Sequence, residues 1–462
     1  MSDFDLVVSG QVVLNDRIID KGYVAVAQGK IAAIGVGKPP SATHRHDFGN
    51  CLVLPGAIDS QTHSSSQKNQ EDFIWSTRSA AAGGVTTIVD MPYDDGKLVC
   101  TAAKLTEKAT EAAAQARVDF ALFGTVHPND GAKHIGEMVG AGAAAFKFST
   151  FGTHPDRFPR IPPYTMYECF KAIAEHGLMA GVHNENDESV RYYIEQVQKR
   201  GLTDYSAHAL SRPPMTEALA TAEVYELGAL TGCSAHIVHC SIARGYELCQ
   251  SYRGQGFDTT IEACIHYLTL DEEDSVRTLV GKAKVNPPIR PRAQVEALWK
   301  HLAKGNITVV STDHVSWSEE RKTNPEMLAN SSGAPGLEVL YPLLLKGLTE
   351  HDLPLTWAAR LLAHNPARLF RIDHIKGALE LGRDADITVM KESKYRYDPA
   401  ASGHNKVTWS PYEGMELPYR VEASFLRGEQ VFDGKKVAEP KTGQFVRPNL
   451  RSKVREAALA GR

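Results

Sequence analysis

Residues of types that bind metals or transfer protons occur repeatedly at the ends of short apolar runs. The run "AAAFKFST" contains Lys147, "GVHNEN" contains His183, "HIVHC" contains His239 and "VVSTDH" contains Asp313. The stretch "PGAIDSQTH" adds His63. Imidazole and carboxylate groups bind divalent cations and act as general acids and bases. Their repeated position after apolar runs predicts one shared metal centre.

Lys147 is the most informative of these residues, because a lysine inside an apolar strand must be paired or lose its charge. A neutral amine can take up carbon dioxide as a carbamate, a carboxylate-like group that can bridge two cations. The same lysine could instead form a Schiff base or extend its ammonium group to the rim of the fold. Beside His183 and His239 the carbamate is favoured, and Lys147 is then an N6-carboxylysine and a metal ligand.

The histidines and the aspartate each have a structural interpretation as well. A lone His183 could be a hydrogen-bonded core residue, and Asp313 could cap a helix or stabilise a turn. Residues three apart in a strand point to opposite faces, so we expect only one of His236 and His239 to face the site. His239 is nearer the strand end and is chosen, while His266 is assigned a supporting or structural role.

The stretch "DSQTH" departs from the D-x-H-x-H pattern, in which two histidines on one face of an extended segment hold one metal. Gln61 stands in place of the first histidine. A carboxamide oxygen is a neutral, harder donor than imidazole for a cation such as zinc. We therefore expect Gln61 to be a weaker ligand than His63. Taken alone, the stretch could also be only a polar loop.

Apolar runs that alternate with helical stretches predict an α/β fold, a (β/α)8 barrel of the TIM type. Chemistry in such barrels gathers at the carboxyl ends of the strands, where the candidate residues lie. We expect the eight strands at residues 52–59, 86–91, 118–124, 144–150, 178–185, 234–240, 258–264 and 307–313.

The two ends of the chain differ from this middle part, because they contain alternating apolar runs broken by turns. This pattern predicts a small β-sandwich-like domain built from residues 1–51 together with 377–445. The barrel is expected to span residues 52–376. The basic residues 446–462 are expected to form a tail that is solvated or contacts another subunit.

The composition excludes several classes of protein. Apolar residues make up 42% of the 462 residues and charged residues 23%, as in a packed globule. The net charge of −4, with both signs interspersed, offers no surface for nucleic acid or an anionic membrane. No apolar run reaches the ~20 residues that span a bilayer, and no secretory signal is evident. Seven scattered cysteines without CxxC pairs indicate reduced thiols in a cytoplasmic protein; Cys240 and Cys264 are expected only to pack.

The chain resembles the cyclic amidohydrolases, a group that includes dihydropyrimidinases, hydantoinases, allantoinases and dihydroorotases. The resemblance spans nearly the whole chain. It implies a barrel with a small β-sandwich-like domain, a binuclear metal site bridged by a carboxylated lysine, hydrolysis of a cyclic amide, and a homotetramer arranged as a dimer of dimers. The motifs that carry it are, in order, "PGAIDSQTH", "AAGGVTTIVDMP", "AAFKFST", "VHNEN", "HIVHCS", "EACIHYL", "KVNPPIR", "STDH", "NPARLF", "GRDADITV" and "SPYEG".

Residue by residue, the resemblance implies a metal centre with one or two divalent ions per chain, zinc being the expected metal. Lys147 matches the carboxylated lysine, and His183 and His239 match the two histidines of the more deeply bound metal. Asp313 matches the aspartate beside the other metal. His63 matches the second histidine of the first motif.

At several positions the sequence departs from the family's motifs, which leaves open whether a second metal binds and which substrate is used. Gln61 replaces a histidine of the outer metal. Ser65 stands where dihydroorotase-like proteins carry an arginine, which argues against that group. Phe151 is the aromatic residue nearest to where dihydropyrimidinases and hydantoinases place a tyrosine, and Asn286 stands where a serine is usual. The predicted substrate contacts are Phe151, Asn286 and backbone groups of the Gly-rich loop around Gly336.

The expected reaction is hydrolysis of a hydantoin- or dihydropyrimidine-like cyclic ureide or imide. A metal-bound hydroxide would attack the ring carbonyl, while Asp313 takes the proton and delivers it to the leaving nitrogen. One alternative is an allantoinase-like ureide hydrolase. The other is a catalytically silent relative used for binding or assembly, and the retained buried Lys147 argues against it.

Overall fold

The β-strands of the computed structural model, which describes residues 4–66, 70–439 and 441–450, form two large sheets and one short hairpin. The strands are β1 (Phe4–Val13), β2 (Ile18–Ala27), β3 (Lys30–Val36), β4 (Ala42–Pro55), β5 (Ala57–Thr62), β6 (Val85–Asp90), β7 (Tyr93–Asp94), β8 (Lys97–Leu98), β9 (Asp119–Gly124), β10 (Ala145–Ser149), β11 (Met179–His183), β12 (Ser234–Ile237), β13 (Thr259–Cys264), β14 (Val309–Ser311), β15 (Ile387–Arg396), β16 (Glu416–Leu426) and β17 (Glu429–Phe432).

The helices surround the barrel strands, and some of them begin at side chains that cap them. Asp72 accepts a hydrogen bond from the backbone of Trp75, and Asn186 accepts one from that of Ser189. The helices are α1 (Phe73–Ala82), α2 (Ala102–Gln115), α3 (Ile135–Ala141), α4 (Pro163–Glu175), α5 (Asp187–Lys199), α6 (Ser206–Ser211), α7 (Pro214–Thr231), α8 (Ala243–Gly254), α9 (Ile265–Thr269), α10 (Arg277–Leu279), α11 (Arg292–Ala303), α12 (Leu340–Glu350), α13 (Thr356–Ala359), α14 (Asn365–Leu369) and α15 (Pro399–Ser402).

The expected eight-stranded α/β barrel is confirmed. Its strands follow the order β14-β13-β12-β11-β10-β9-β6-β5, and neighbouring strands are parallel throughout. Beyond the ends of β5 and β14, the backbone N–H of His63 donates to the carbonyl oxygen of His314 at 3.0 Å, which brings the two edges together. All carboxyl ends therefore face one end of the barrel.

A second sheet draws its strands from both ends of the chain, as the alternating runs predict. Its order is β17-β16-β15-β4-β1-β2-β3. One face packs a separate apolar core that includes Val8, Val24, Val53, Ile387 and Phe425. This burial of apolar side chains from distant segments stabilises the sheet.

The first barrel strand begins later than expected. Residues 52–55 belong to β4 of the second sheet, and β5 starts only at Ala57. Gly56 lies between the two strands, and a larger residue would not fit there because a Cβ would lie 2.1 Å from the Oγ1 atom of Thr86. Residues 52–59, expected as one strand, thus belong to two sheets, and the hydrophobic pattern alone could not show where one strand ends and the next begins.

The domain bounds stay a prediction, although β1–β4 and β15–β17 occupy the two terminal segments as expected. Of the tail, residues 451–462 lie outside the described residues. At its start Val446 is buried and donates its N–H to the carbonyl oxygen of Phe120 in the barrel. Among the described residues, no helix combines the length and hydropathy needed to cross a bilayer.

Candidate metal centre

Lys147 lies in the middle of β10, fully buried, and faces the interior of the barrel. Its backbone partner on β11 is Gly181, which has no side chain to occupy the space beside it. The Nζ atom has no hydrogen-bond partner among the described residues. Burial lowers the pKa of the Lys147 amine to about 8. An unpaired amine of this kind is disposed to react while neutral.

His183 and His239 are brought together as the sequence predicts. The Nδ1 atom of His183 lies 3.0 Å from the Nε2 atom of His239, and the ring planes are 71° apart. Burial, together with the charge of Lys147, holds the pKa of His239 well below its ordinary value. A neutral imidazole offers a lone pair, so two facing ring nitrogens are suited to share one cation.

Glu185 fixes the orientation of His183, and the sequence analysis did not identify it. Its Oε2 atom lies 2.8 Å from the Nε2 atom of His183 and also pairs with the guanidinium of Arg212. Although burial raises the pKa of the Glu185 carboxyl, Arg212 and His183 hold it well below its usual range. A carboxylate on one ring nitrogen orients the other nitrogen toward a metal.

Gln61, His63 and Asp313 form the outer part of the centre. The Oδ1 atom of Asp313 accepts a hydrogen bond from the Nε2 atom of Gln61 at 2.7 Å and lies 3.2 Å from the Nε2 atom of His63. The Oε1 atom of Gln61 is buried and has no partner among the described residues. In contrast, Asp59 is occupied, because its carboxylate accepts hydrogen bonds from Thr62 and Thr312.

Of His236 and His239, only His239 is among the residues that line the cavity at the carboxyl end of the barrel. His236 pairs with Gly181 in the barrel and its Nδ1 atom lies 2.8 Å from the Oγ1 atom of Thr260. Burial and the charge of Lys147 lower the pKa of His236 to about 3. The alternation of side chains between two faces does not extend to His239, because β12 ends at Ile237 and His239 has a φ of +40°.

Two proposed ligands have backbone conformations that L-residues rarely adopt. His239 has a φ of +40° and Asp313 has a φ of +48°, and each follows the end of its strand. Such conformations cost about 1–3 kcal/mol and cluster at functional sites. The expected strands 234–240 and 307–313 are therefore too long at their carboxyl ends, where the backbone turns both side chains into the site.

Other buried polar residues support these ligands. The Oε1 atom of Glu262 accepts a hydrogen bond from the backbone N–H of His239, and burial raises the pKa of Glu262 to about 8. Its signal in the sequence is a charged residue inside the apolar run "TTIEAC". The Nε2 atom of His314, a residue that the sequence analysis did not identify, lies 2.6 Å from the Oε2 atom of Glu71. His266 is buried against Tyr267, in keeping with a supporting role.

The centre opens into a cavity of about 420 Å³ at the carboxyl end of the barrel. Asn286 lines it, as expected of a substrate contact. Phe151 does not, because its ring is covered by the guanidinium groups of Arg191 and Arg212; Phe158 lines the cavity instead. These placements correct the expectation for Phe151.

Gly336 also lies outside the cavity lining, contrary to expectation. Its backbone N–H donates to the Nδ1 atom of His314 and so is not available to a substrate. Gly333, at the start of the same loop, lines the cavity.

The unpartnered buried atoms fit a divalent cation. Within the described residues they include the Nζ atom of Lys147 and the Oε1 atom of Gln61. Two histidines, a carboxylate and a carboxylated lysine would together form a nitrogen and oxygen donor set that zinc accepts. Leaving such groups buried without partners costs free energy, and ligation would remove that cost.

A cluster of three aspartates away from this centre does not resemble a metal site. Asp119, Asp384 and Asp386 lie close together, but the ammonium group of Lys376 is 2.5–2.8 Å from all three. Arg427 also pairs with Asp119. These cations neutralise the carboxylates, so the cluster joins the barrel to the second sheet through ion pairs.

Comparisons with known proteins show the family of the chain. The model of the amidohydrolase family matches residues 52–431. An allantoinase of Rubrobacter xylanophilus is 35% identical over 97% of this chain and 98% of its own length. An L-hydantoinase of Paenarthrobacter aurescens is 30% identical over 96% of this chain and 98% of its own.

Solved structures show the same architecture. The L-hydantoinase (dihydropyrimidinase) from Arthrobacter aurescens superimposes with a TM-score of 0.92 at 30% identity, over 96% of this chain and all of that one. A D-hydantoinase gives a TM-score of 0.88 at 29% identity, over 97% of this chain and 100% of its own. The chain belongs to the amidohydrolase family, within its group of cyclic amide hydrolases.

Proposed function

We propose that this cyclic amide hydrolase opens the ring of a cyclic ureide of the allantoin and hydantoin class. The observation that carries the proposal is the unpartnered, buried Lys147 in a barrel whose neighbouring strands bring His183 and His239 together. The cavity above them, of about 420 Å³, has room for a small substituted ring. Relatives named allantoinase and L-hydantoinase support this substrate class.

In this proposal Lys147 is an N6-carboxylysine and holds a zinc ion together with His183 and His239. When bound, zinc polarises the ring carbonyl and lowers the pKa of water toward about 7. His63 and Gln61 would hold a second ion more weakly, because a carboxamide oxygen is a poorer donor for zinc than imidazole. The centre therefore binds one ion firmly and a second ion with lower affinity.

Asp313 moves the proton in this proposal. Its Oδ1 atom is fixed by Gln61 and His63 at the border of the cavity. From there the carboxylate accepts a proton from the attacking water and delivers it to the ring nitrogen as the amide bond breaks. Without that delivery the nitrogen would leave as an unstable anion.

Asn286 positions the ring. The hydroxyl of Ser332 donates to the Oδ1 atom of Asn286 at 3.1 Å, so the Nδ2 group of this lining residue is the donor that remains for a substrate. A ring carbonyl accepts this hydrogen bond. The ring amide edge is thereby aligned with Asp313.

A homotetramer, arranged as a dimer of dimers, and a cytoplasmic location belong to the same proposal. Exposed apolar side chains on neighbouring helices support subunit contacts; they are Tyr192 on α5, Leu210 on α6, and Met215 and Leu219 on α7. None of the seven cysteines, all of which lie in the described part of the chain, forms a disulfide, which supports a reducing compartment. Sedimentation analysis measures the assembly directly.

A turnover screen tests the substrate class. Purified protein loaded with zinc, cobalt or manganese is given allantoin, hydantoins, dihydropyrimidines and cyclic imides, with Lys147→Gln as the variant that removes the carbamate. We expect ring opening of allantoin or a hydantoin by the wild type and loss of both turnover and bound metal in the variant. Ring opening only of six-membered substrates, or full activity of Lys147→Gln, would contradict the proposal.

A further inference from the structure

Arg290 and Glu217 form a buried ion pair that contacts two loops of the metal centre. The Nη2 atom of Arg290 lies 2.5 Å from the Oε1 atom of Glu217, and the two side chains are 3% and 0% exposed. Glu217 lies in the first turn of α7, and Arg290 lies in the loop before α11. Because desolvation of two charges offsets much of their attraction, a contribution to stability does not by itself explain such a pair.

The first contact of the pair is with Ser241, two residues after His239. The Nε atom of Arg290 donates to the Oγ atom of Ser241 at 2.9 Å, and that hydroxyl donates in turn to the Oε1 atom of Glu217. The Oε2 atom of Glu217 accepts the backbone N–H of Ser241 at 3.0 Å. His239 lies beyond the end of β12 and has a φ of +40°. A left-handed backbone of this kind persists only where the surrounding contacts fix it.

The second contact is with the backbone of Arg212, whose side chain supports the other histidine. The Nη1 atom of Arg290 donates to the carbonyl oxygen of Arg212 at 2.7 Å. The guanidinium of Arg212 pairs with Glu185, and the Oε2 atom of Glu185 lies 2.8 Å from the Nε2 atom of His183. Arg290 is thus connected through a short chain of contacts to each of the two histidines.

The three nitrogen atoms of the Arg290 guanidinium each have a partner of their own, namely Ser241, Arg212 and Glu217. Because these donors lie in one rigid plane, they fix the positions of the three partners relative to one another. Ligand distances at a bound metal ion vary by only about 0.2 Å. The relative position of the two imidazole rings therefore limits how tightly an ion is held.

We propose that Arg290, held by Glu217, is a positioning residue of the metal centre. It fixes the loop that carries His239 relative to the residues that orient His183, and zinc binds less tightly without it. This inference rests on the proposed function, since it concerns the zinc ion that the two histidines hold in that proposal.

The test compares the zinc affinity of the wild type with that of Arg290→Lys and of Ser241→Ala, measured by competition with a chelator. Lysine keeps the positive charge beside Glu217, but its single nitrogen atom cannot reach all three partners of the guanidinium. Alanine removes only the hydroxyl between Arg290 and Glu217. We expect an affinity about tenfold lower in each variant, since residues that support metal ligands contribute about 10- to 100-fold. The double variant should lose less than the product of the two single losses, because both changes act on the same contacts.

A spectroscopic measurement separates positioning from a purely structural role. In the cobalt-loaded protein, the visible absorption bands depend on the arrangement of the ligands around the ion. We expect these bands to shift in both Arg290→Lys and Ser241→Ala. A residue that only stabilised the fold would leave the bands of the folded protein unchanged.

Arg427→Lys and Ser424→Ala are the matched controls, because they make the same substitutions away from the metal centre. The guanidinium of Arg427 pairs with Asp119 and donates to the carbonyl oxygen of Thr442. The buried hydroxyl of Ser424 donates to the carbonyl oxygen of Ala81 at 2.8 Å. Both controls should retain the wild-type zinc affinity and cobalt bands.

The possible results separate this inference from the proposed function. If either Arg290→Lys or Ser241→Ala binds zinc within about twofold of the wild type, or keeps the wild-type cobalt bands, the inference is wrong and the proposed function stands. A similar loss of affinity in Arg427→Lys would also overturn the inference, because the effect would then follow from lost stability alone. If the wild type itself binds no zinc, the proposed metal centre is wrong and the inference is overturned with it.

Discussion

Replacing Glu185 by glutamine preserves the shape of the side chain and removes the charge between Arg212 and His183. The carboxylate is fully buried, pairs with the guanidinium and lies 2.8 Å from the Nε2 atom of His183. The substitution therefore leaves Arg212 with a buried charge and no carboxylate. It also weakens the contact that directs the Nδ1 atom of His183 toward His239.

Two effects of different size follow from this geometry. Breaking a buried ion pair by removing one partner costs about 3–5 kcal/mol, so the free energy of unfolding of the variant should fall by that amount. Removing the group that orients a metal-binding histidine lowers metal affinity about 10- to 100-fold. The loss of affinity is expected even where the variant remains fully folded.

The pH dependence has a definite sign. Because the folded-state pKa of Glu185 lies below its usual value, its charge stabilises the fold above the ordinary carboxyl pKa of about 4.3. That stabilisation is lost as pH falls through the lower folded-state pKa. In Glu185→Gln this part of the acid dependence is absent.

The test compares the wild type with Glu185→Gln and Glu188→Gln. Competition with a chelator measures the zinc affinity of each protein, and urea denaturation measures its free energy of unfolding. Glu188 is exposed on α5, so Glu188→Gln is the control and should match the wild type in both assays. If Glu185→Gln is less stable but binds zinc within about twofold of the wild type, then Glu185 serves only the ion pair and does not position His183.

Three further predictions concern other parts of the molecule. Gln61→His places a second imidazole on the face of His63, so zinc content by elemental analysis should rise from about one to about two ions per chain; unchanged content would show that Gln61 does not limit the outer position. Lys376→Met removes the ammonium group that three buried carboxylates share, while Asp384 keeps Lys30 and Asp119 keeps Arg427, and urea denaturation should show a loss of about 3–5 kcal/mol, with the exposed Lys391→Met as control. Asn286→Ala removes the donor to the ring and should raise KM about tenfold, and an unchanged KM in steady-state kinetics would exclude that contact.

The barrel could be predicted because each buried parallel strand is a short apolar run bounded by polar turns. What the run could not reveal is where one strand ends and another begins. Residues 52–59 contain the end of β4 and the start of β5, and Gly56 lies between them, packed closely against Thr86. The strands expected to reach His239 and Asp313 end earlier, because both residues have a positive φ that the hydrophobic pattern does not indicate.

The ligand candidates were recognisable because a charged or imidazole side chain inside an apolar strand requires a partner. Their supporting residues were not, since Arg212 and Glu185 meet only after the chain folds. The choice of Phe151 shows the same limit: proximity in sequence favoured it, whereas the fold covers its ring with Arg191 and Arg212 and brings Phe158 to the cavity.

An anomalous difference map of crystals grown with zinc and bicarbonate tests the metal centre most directly. We expect a zinc peak about 2.0–2.1 Å from ring nitrogens of both His183 and His239. Density for a carboxyl group should extend from the Nζ atom of Lys147 to the same ion. An unmodified lysine with no anomalous peak between the two imidazole rings would contradict the account.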